Sequence, residues 1–100
     1  MKYKIILQEE ARQDLKDAFD YFNEQQKGLG KGFIKAYKDK SEFIANLPTA
    51  CQKIYKDKRR AIINPFKFNL IYVIEESSKT VFIEAVMHSS RSPKRWKDRK

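Results

Sequence analysis

Residues 66–87 read FKFNLIYVIEESSKTVFIEAVM. The run from Phe66 to Glu75 is rich in aromatic and β-branched residues, which suit a pleated, half-buried surface. Phe68, Leu70, Tyr72 and Ile74 share one face of it by alternation. Thr80 to Met87 is nearly all apolar, as a strand covered on both faces requires. Between the two runs, Glu76-Ser77-Ser78-Lys79 is polar and reads as a hairpin turn. The stretch predicts two neighbouring antiparallel strands, the second of them central in its sheet.

Upstream of this pair, residues 53–63 form a basic strand candidate ending in Arg59-Arg60-Ala61-Ile62-Ile63, and Asn64-Pro65 marks a turn. Before it the period changes from two to that of a helix. Gln8-Glu9-Glu10 opens a first helix, with acidic residues where the helix dipole favours them. Ala11, Leu15, Ala18, Phe19 and Phe22 make its apolar face. Arg12, Asp14, Lys16, Asp17 and Asp20 make the opposite one, and the helix is expected to run to about Gln26. Residues 28–32, GLGKG, look like a scrap of a phosphate-binding loop. They follow a helix, however, and no Lys-Ser or Lys-Thr pair closes them, so a tight turn with Gly28 as C-cap is the expectation. A second helix carries Phe33, Tyr37, Ile44 and Leu47 on one side, flanked by Ile34, Ser41 and Ala45. Pro48 ends it. Tyr3 to Leu7 is a short opening strand.

The fold class that follows is α+β. An N-terminal strand and a two-helix hairpin pack on a twisted, mostly antiparallel sheet with three C-terminal strands. One domain is expected over residues 1–100, with 92–100 a basic C-terminal tail. The 41% hydrophobic and 13% aromatic content fits a folded chain. Cys51 is the one cysteine, so no intrachain disulfide can form, and no catalytic cysteine signature surrounds it. No segment approaches the roughly 18 apolar residues of a membrane span. The N-terminus lacks the apolar core of a signal peptide, and the expected compartment is the cytoplasm. No metal site or cofactor is expected.

The formal net charge is +9, and it is unevenly spread. Residues 88–100, HSSRSPKRWKDRK, hold six basic side chains and one acidic one. A field of this sign attracts nucleic acid, acidic proteins or anionic surfaces. The same segment holds the only histidine, His88, and the only tryptophan, Trp96. Trp96 is expected to fold back as an anchor, with base stacking the alternative. His88 closes a buried strand, and a reference pKa near 6.5 also suits it to proton transfer.

Taken together and in order, several pieces resemble the RelE/ParE superfamily of type II toxin–antitoxin toxins, closest to its ParE-like branch. They are Ala11-Arg12-Gln13-Asp14-Leu15, Gly28-Leu29-Gly30 with Phe33, and Arg59-Arg60 ahead of Phe66-Lys67-Phe68. Leu70-Ile71-Tyr72 follows. The ending His88-Ser89-Ser90-Arg91-Ser92-Pro93-Lys94-Arg95-Trp96 is the most specific. The resemblance implies a small toxin held inactive by a cognate antitoxin with an acidic or disordered segment. In ParE-like members the target is DNA gyrase. In RelE-like members it is messenger RNA, cut on the ribosome or free of it. If the chain is such a nuclease, His88 is the candidate base, and Arg59, Arg60 and Arg91 are the candidate phosphate clamps. Asn69 stands where RelE-like nucleases carry an arginine. Phe66, Phe68, Arg91, Lys94, Arg95 and Trp96 are the expected partner contacts. A basic nucleic-acid-binding module without toxicity is the third reading.

Overall fold

In chain order, the computed structural model has β1 (Lys4–Leu7), α1 (Glu9–Gln25), α2 (Leu29–Asn46), β2 (Lys53–Tyr55), β3 (Lys58–Ile63), β4 (Phe68–Glu75), β5 (Thr80–His88) and α3 (Lys94–Lys97), and it describes residues 2–99. The five strands form one sheet in the order β1-β5-β4-β3-β2. Its pairs are antiparallel, except that β1 runs parallel to β5. The expected α+β architecture is present, with β4 and β5 both flanked on two sides.

Alternation sends Phe68, Leu70, Tyr72 and Ile74 to the helix-covered face, as expected. There they meet Phe33, Tyr37 and Ile44 of α2 and Ala11 and Ala18 of α1. Phe33, Ile44, Leu70 and Tyr72 are fully buried. Each such side chain contributes about 1.5–3 kcal/mol by leaving water. The Tyr72 hydroxyl donates to the Pro48 carbonyl at 2.7 Å, so its polar atom is satisfied inside the core. Burial, with the nearby Cys51 thiol acting in the same direction, pushes the Tyr72 phenol well above its ordinary range. Burial also raises Tyr37.

The other face is assembled differently. Ile71, Ala85 and Met87 point to it, and Trp96 of α3 lies on them with Ile54 and Tyr55 at the margin. The segment from Ser89 to Arg99 crosses this face as a strap.

Register within β5 holds one irregularity. Ile71 pairs with Ala85, but Tyr72 pairs with Ile83, so Glu84 is an extra residue. Such a bulge places two residues of one strand opposite one of its partner.

Three expectations need correction. The span 53–63 is not one strand but a hairpin, β2 and β3, turning at Lys56 with φ of 50°. Four strands, not three, therefore follow the helices. Gly28 is not the C-cap of α1, a place taken by Gln26; it precedes α2 with φ of 90°, the left-handed region glycine enters without strain. GLGKG is mainly the first turn of α2. Gly30 sits against α1, with its N–H donating to Asn23 Oδ1 at 3.0 Å. A Cβ at Gly30 would stand 2.8 Å from the Phe19 carbonyl oxygen. In the basic tail, Trp96 is buried, the place expected of an anchor, and Arg99 is held by carboxylates.

Candidate functional site: a cleft at the end of the fifth strand

β1 stops at Leu7, and the chain turns into α1. The outer edge of β5 beyond Ile83 therefore has no neighbouring strand. Bare strand edges are costly or sticky, and this one is met by side chains. Gln8 N–H donates to the Ile83 carbonyl at 3.0 Å. The Val86 N–H donates to Asp14 Oδ2 at 3.0 Å. Arg99 Nη1 donates to the Glu84 carbonyl at 3.2 Å and to the same Asp14 carboxylate. Glu10 adds an ion pair to Arg99 Nε at 3.3 Å.

On the strap side, Lys58 Nζ donates to Glu84 Oε1 and, at 2.7 Å, to the Arg99 carbonyl. Both side chains of the Lys58–Glu84 pair are buried, at 9% and 6% exposure. A buried pair is tolerated when hydrogen bonds complete it, and costs heavily when one partner is removed. One network thus runs from α1 over the β5 edge to β3.

Beyond this network, a cleft of about 610 Å³ opens between α1 and the end of β5. Asp17 and Tyr21 stand on its α1 wall; His88, Ser90, Arg91 and Arg95 stand on the other. His88 packs edge-on to Phe68, with ring centres 5.5 Å apart. The Ser90 backbone N–H donates to His88 Nδ1 at 3.1 Å, and Ser90 Oγ lies 2.8 Å from the same nitrogen. A backbone N–H only donates, so Nδ1 is the acceptor and the ring carries its hydrogen on Nε2. The Arg91 N–H closes the turn on the His88 carbonyl at 2.9 Å. Arg91 and Arg95 are exposed, and no carboxylate lies within ion-pair reach of either among the described residues.

The residues expected to act together are not all brought together. His88 and Arg91 share the cleft. Arg59 faces Tyr72 and Arg60 faces Ile71, toward the other end of β4 from Phe68, the partner of His88. At 3.3 Å per residue and 4.8 Å per strand, their backbones lie roughly 14–16 Å from that of His88. Arg59 Nη1 is spent on the carbonyls of Cys51 at 2.6 Å and Thr49 at 3.3 Å. Arg60 projects from the strap-covered face, away from His88.

Of the expected contacts, Arg91, Lys94 and Arg95 are exposed. Phe68 and Trp96 are buried. Phe66 is half-buried, in edge contact with Phe22 and Phe33. These three aromatic rings are packing residues here. Asp14 and Arg99 were not foreseen as site residues, and Asp14 does not belong to the polar face of α1. Its spacing from Ala11 and Ala18, three and four residues, was the available signal for a carboxylate on the apolar stripe.

No described helix is long and apolar enough to cross a membrane. Residues 5–93 match the family described as the ParE toxin of the type II toxin–antitoxin system parDE. No curated protein matches the sequence. Solved structures share the fold. The toxin–antitoxin complex RelBE2 from Mycobacterium tuberculosis superposes with a TM-score of 0.67 at 18% identity, covering 91% of this chain and 95% of that one. The isolated Escherichia coli RelE toxin gives 0.67 at 17% identity, over 93% and 90%. The chromosomal ParDE system of Pseudomonas aeruginosa gives 0.64 at 14% identity, over 87% and 96%.

Proposed function

Because the chain belongs to the ParE toxin family of type II toxin–antitoxin systems, within the RelE/ParE superfamily, we propose that it arrests growth in the cytoplasm by inhibiting DNA gyrase and that a cognate antitoxin neutralises it. Likeness of fold does not select this mechanism, since RelE and ParE structures resemble the chain about equally. The observation that carries the choice is the scatter of the would-be nuclease groups. Metal-free RNA cleavage needs a base, an acid and cations around one phosphate. Here Arg59 and Arg60 lie far from His88, and Asn69 occupies the position expected of an arginine. His88 offers its Nε2–H as a donor, while its acceptor nitrogen is already engaged by Ser90. The antitoxin has a basic surface to cover, and a disordered acidic segment that folds on binding suits that task.

The test is induction without antitoxin, followed by mapping of RNA 5′ ends and by a supercoiling assay with purified gyrase. Growth arrest, unchanged RNA ends and lost supercoiling are expected, with His88→Ala as toxic as the parent. New 5′ ends within coding frames that vanish in His88→Ala would replace this reading by endoribonuclease activity. A chain that arrests nothing would leave a basic nucleic-acid-binding module.

A further inference from the structure

The cleft at the end of β5 has walls of two chemical kinds. One wall is rich in donors. They are the guanidinium groups of Arg91 and Arg95 and the His88 Nε2–H, while the Ser90 hydroxyl is spent on His88 Nδ1. Unpaired guanidinium groups in a concavity match the geometry of phosphate oxygens. The facing wall, on α1, is of another kind. Asp17 and Tyr21 are four residues apart and therefore neighbours on one helix face. Tyr21 is 53% exposed, high for so large a ring. Asp17 Oδ1 accepts from Gln13 Nε2 at 2.9 Å, and its second oxygen has no side-chain partner among the described residues.

A free phosphate would use the arginines and ignore Tyr21. An acidic peptide would bring its carboxylates against Asp17. A nucleotide satisfies both walls, having an anion at one end and a flat ring with hydrogen-bond donors at the other. Guanine presents N1–H and N2–H₂ side by side, both donors, which a carboxylate can accept together. Adenine places an acceptor beside its amino group and would turn a lone pair toward Asp17. The volume of about 610 Å³ lies within the usual span for small-molecule sites. We propose that this cleft binds a guanine nucleotide, with phosphate on Arg91 and Arg95, the base stacked on Tyr21, and Asp17 selecting guanine. The site is a property of the free chain and does not rest on the gyrase reading.

The experiment is calorimetric titration of the full chain with GMP, AMP and inorganic phosphate. GMP binds most tightly, with AMP and phosphate each about tenfold weaker. Arg91→Ala with Arg95→Ala weakens all three by more than tenfold. Tyr21→Ala weakens both nucleotides about tenfold and leaves phosphate unchanged. Asp17→Asn erases the preference for GMP over AMP. All four side chains are exposed, so these variants keep the fold, which a thermal melt verifies. Equal affinity for GMP, AMP and phosphate would reduce the cleft to an anion clip and overturn the proposal. Absence of GMP binding at millimolar concentration would overturn it as well. A gyrase assay that fails would leave it standing.

Discussion

Two helices of 17 and 18 residues cover one face of the sheet, while a single turn of four residues covers part of the other. The helix side is closed by Phe33, Tyr37 and Ile44, packed on a continuous floor of Leu70, Tyr72 and Ile83. The strap side has one large anchor, Trp96, and its remaining ties are electrostatic, through Lys58, Glu84, Arg99 and Asp14. Apolar burial of the first kind belongs to the cooperative core. A short element held by one ring and a few ions belongs to the low-stability end of a structure, where local opening is cheapest. The comparison teaches that one face is closed by the bulk of the chain and the other only in part, by one short element.

The largest expected effect is on the helix side. Phe33→Ala empties a fully buried site and should cost about 3–5 kcal/mol, read as a shift of the whole urea transition. Nearly as large is the loss from Glu84→Ala, about 3 kcal/mol, because Lys58 stays buried without its partner. Replacing both, Lys58→Met with Glu84→Leu, should recover most of that loss. A double variant as unstable as the single would mean that the pair, not the orphaned charge, carries the stability.

Trp96→Ala should separate the faces. Amide exchange should accelerate in residues 89–99 while the global transition moves by roughly 1–2 kcal/mol at most. A loss as large as that of Phe33→Ala would make the strap part of the main core. The smallest effect is set by pH. Burial raises the Tyr72 phenol in the fold, so its contribution is present below the unfolded value of about 10 and is lost as pH climbs above it. Tyr72→Phe should cost about 1 kcal/mol at neutral pH through the lost bond to Pro48, and should flatten the alkaline decline. The same decline in both proteins would assign it to Tyr37, which burial also raises.

Much of this arrangement was legible in the sequence. Period-two alternation marked the helix-facing side of β4, and helical spacing marked Ala11, Ala18, Phe33, Tyr37 and Ile44 as core. The ParE-like ending was readable from His88 to Trp96. What escaped was what depends on pairing across the chain. The β2–β3 turn is made by Lys56 in a left-handed conformation, without a glycine or proline to announce it. The separation of Arg59 and Arg60 from His88 follows from strand order and register, which neighbouring residues do not encode. Asp14 looked like one acidic residue among several on α1, because its use lies in a Val86 amide 72 positions away.

The extra residue at Glu84 acts as a change of parity. Before it, the odd-numbered residues Val81 and Ile83 face the helices; after it, the even-numbered Val86 and His88 do. A reader counting by twos through the strand would send His88 to the strap and Met87 to the helices. A polypeptide lacking residue 84 would keep Val86 and His88 over the helices, since Ala85 would follow Ile83 in regular alternation and still stand opposite Ile71. Deletion would take away the bulge and the ion pair with Lys58 together, yet leave the two faces as they are. The extra residue is thus absorbed where it stands, and the strand hands the cleft the same side chains with it or without it.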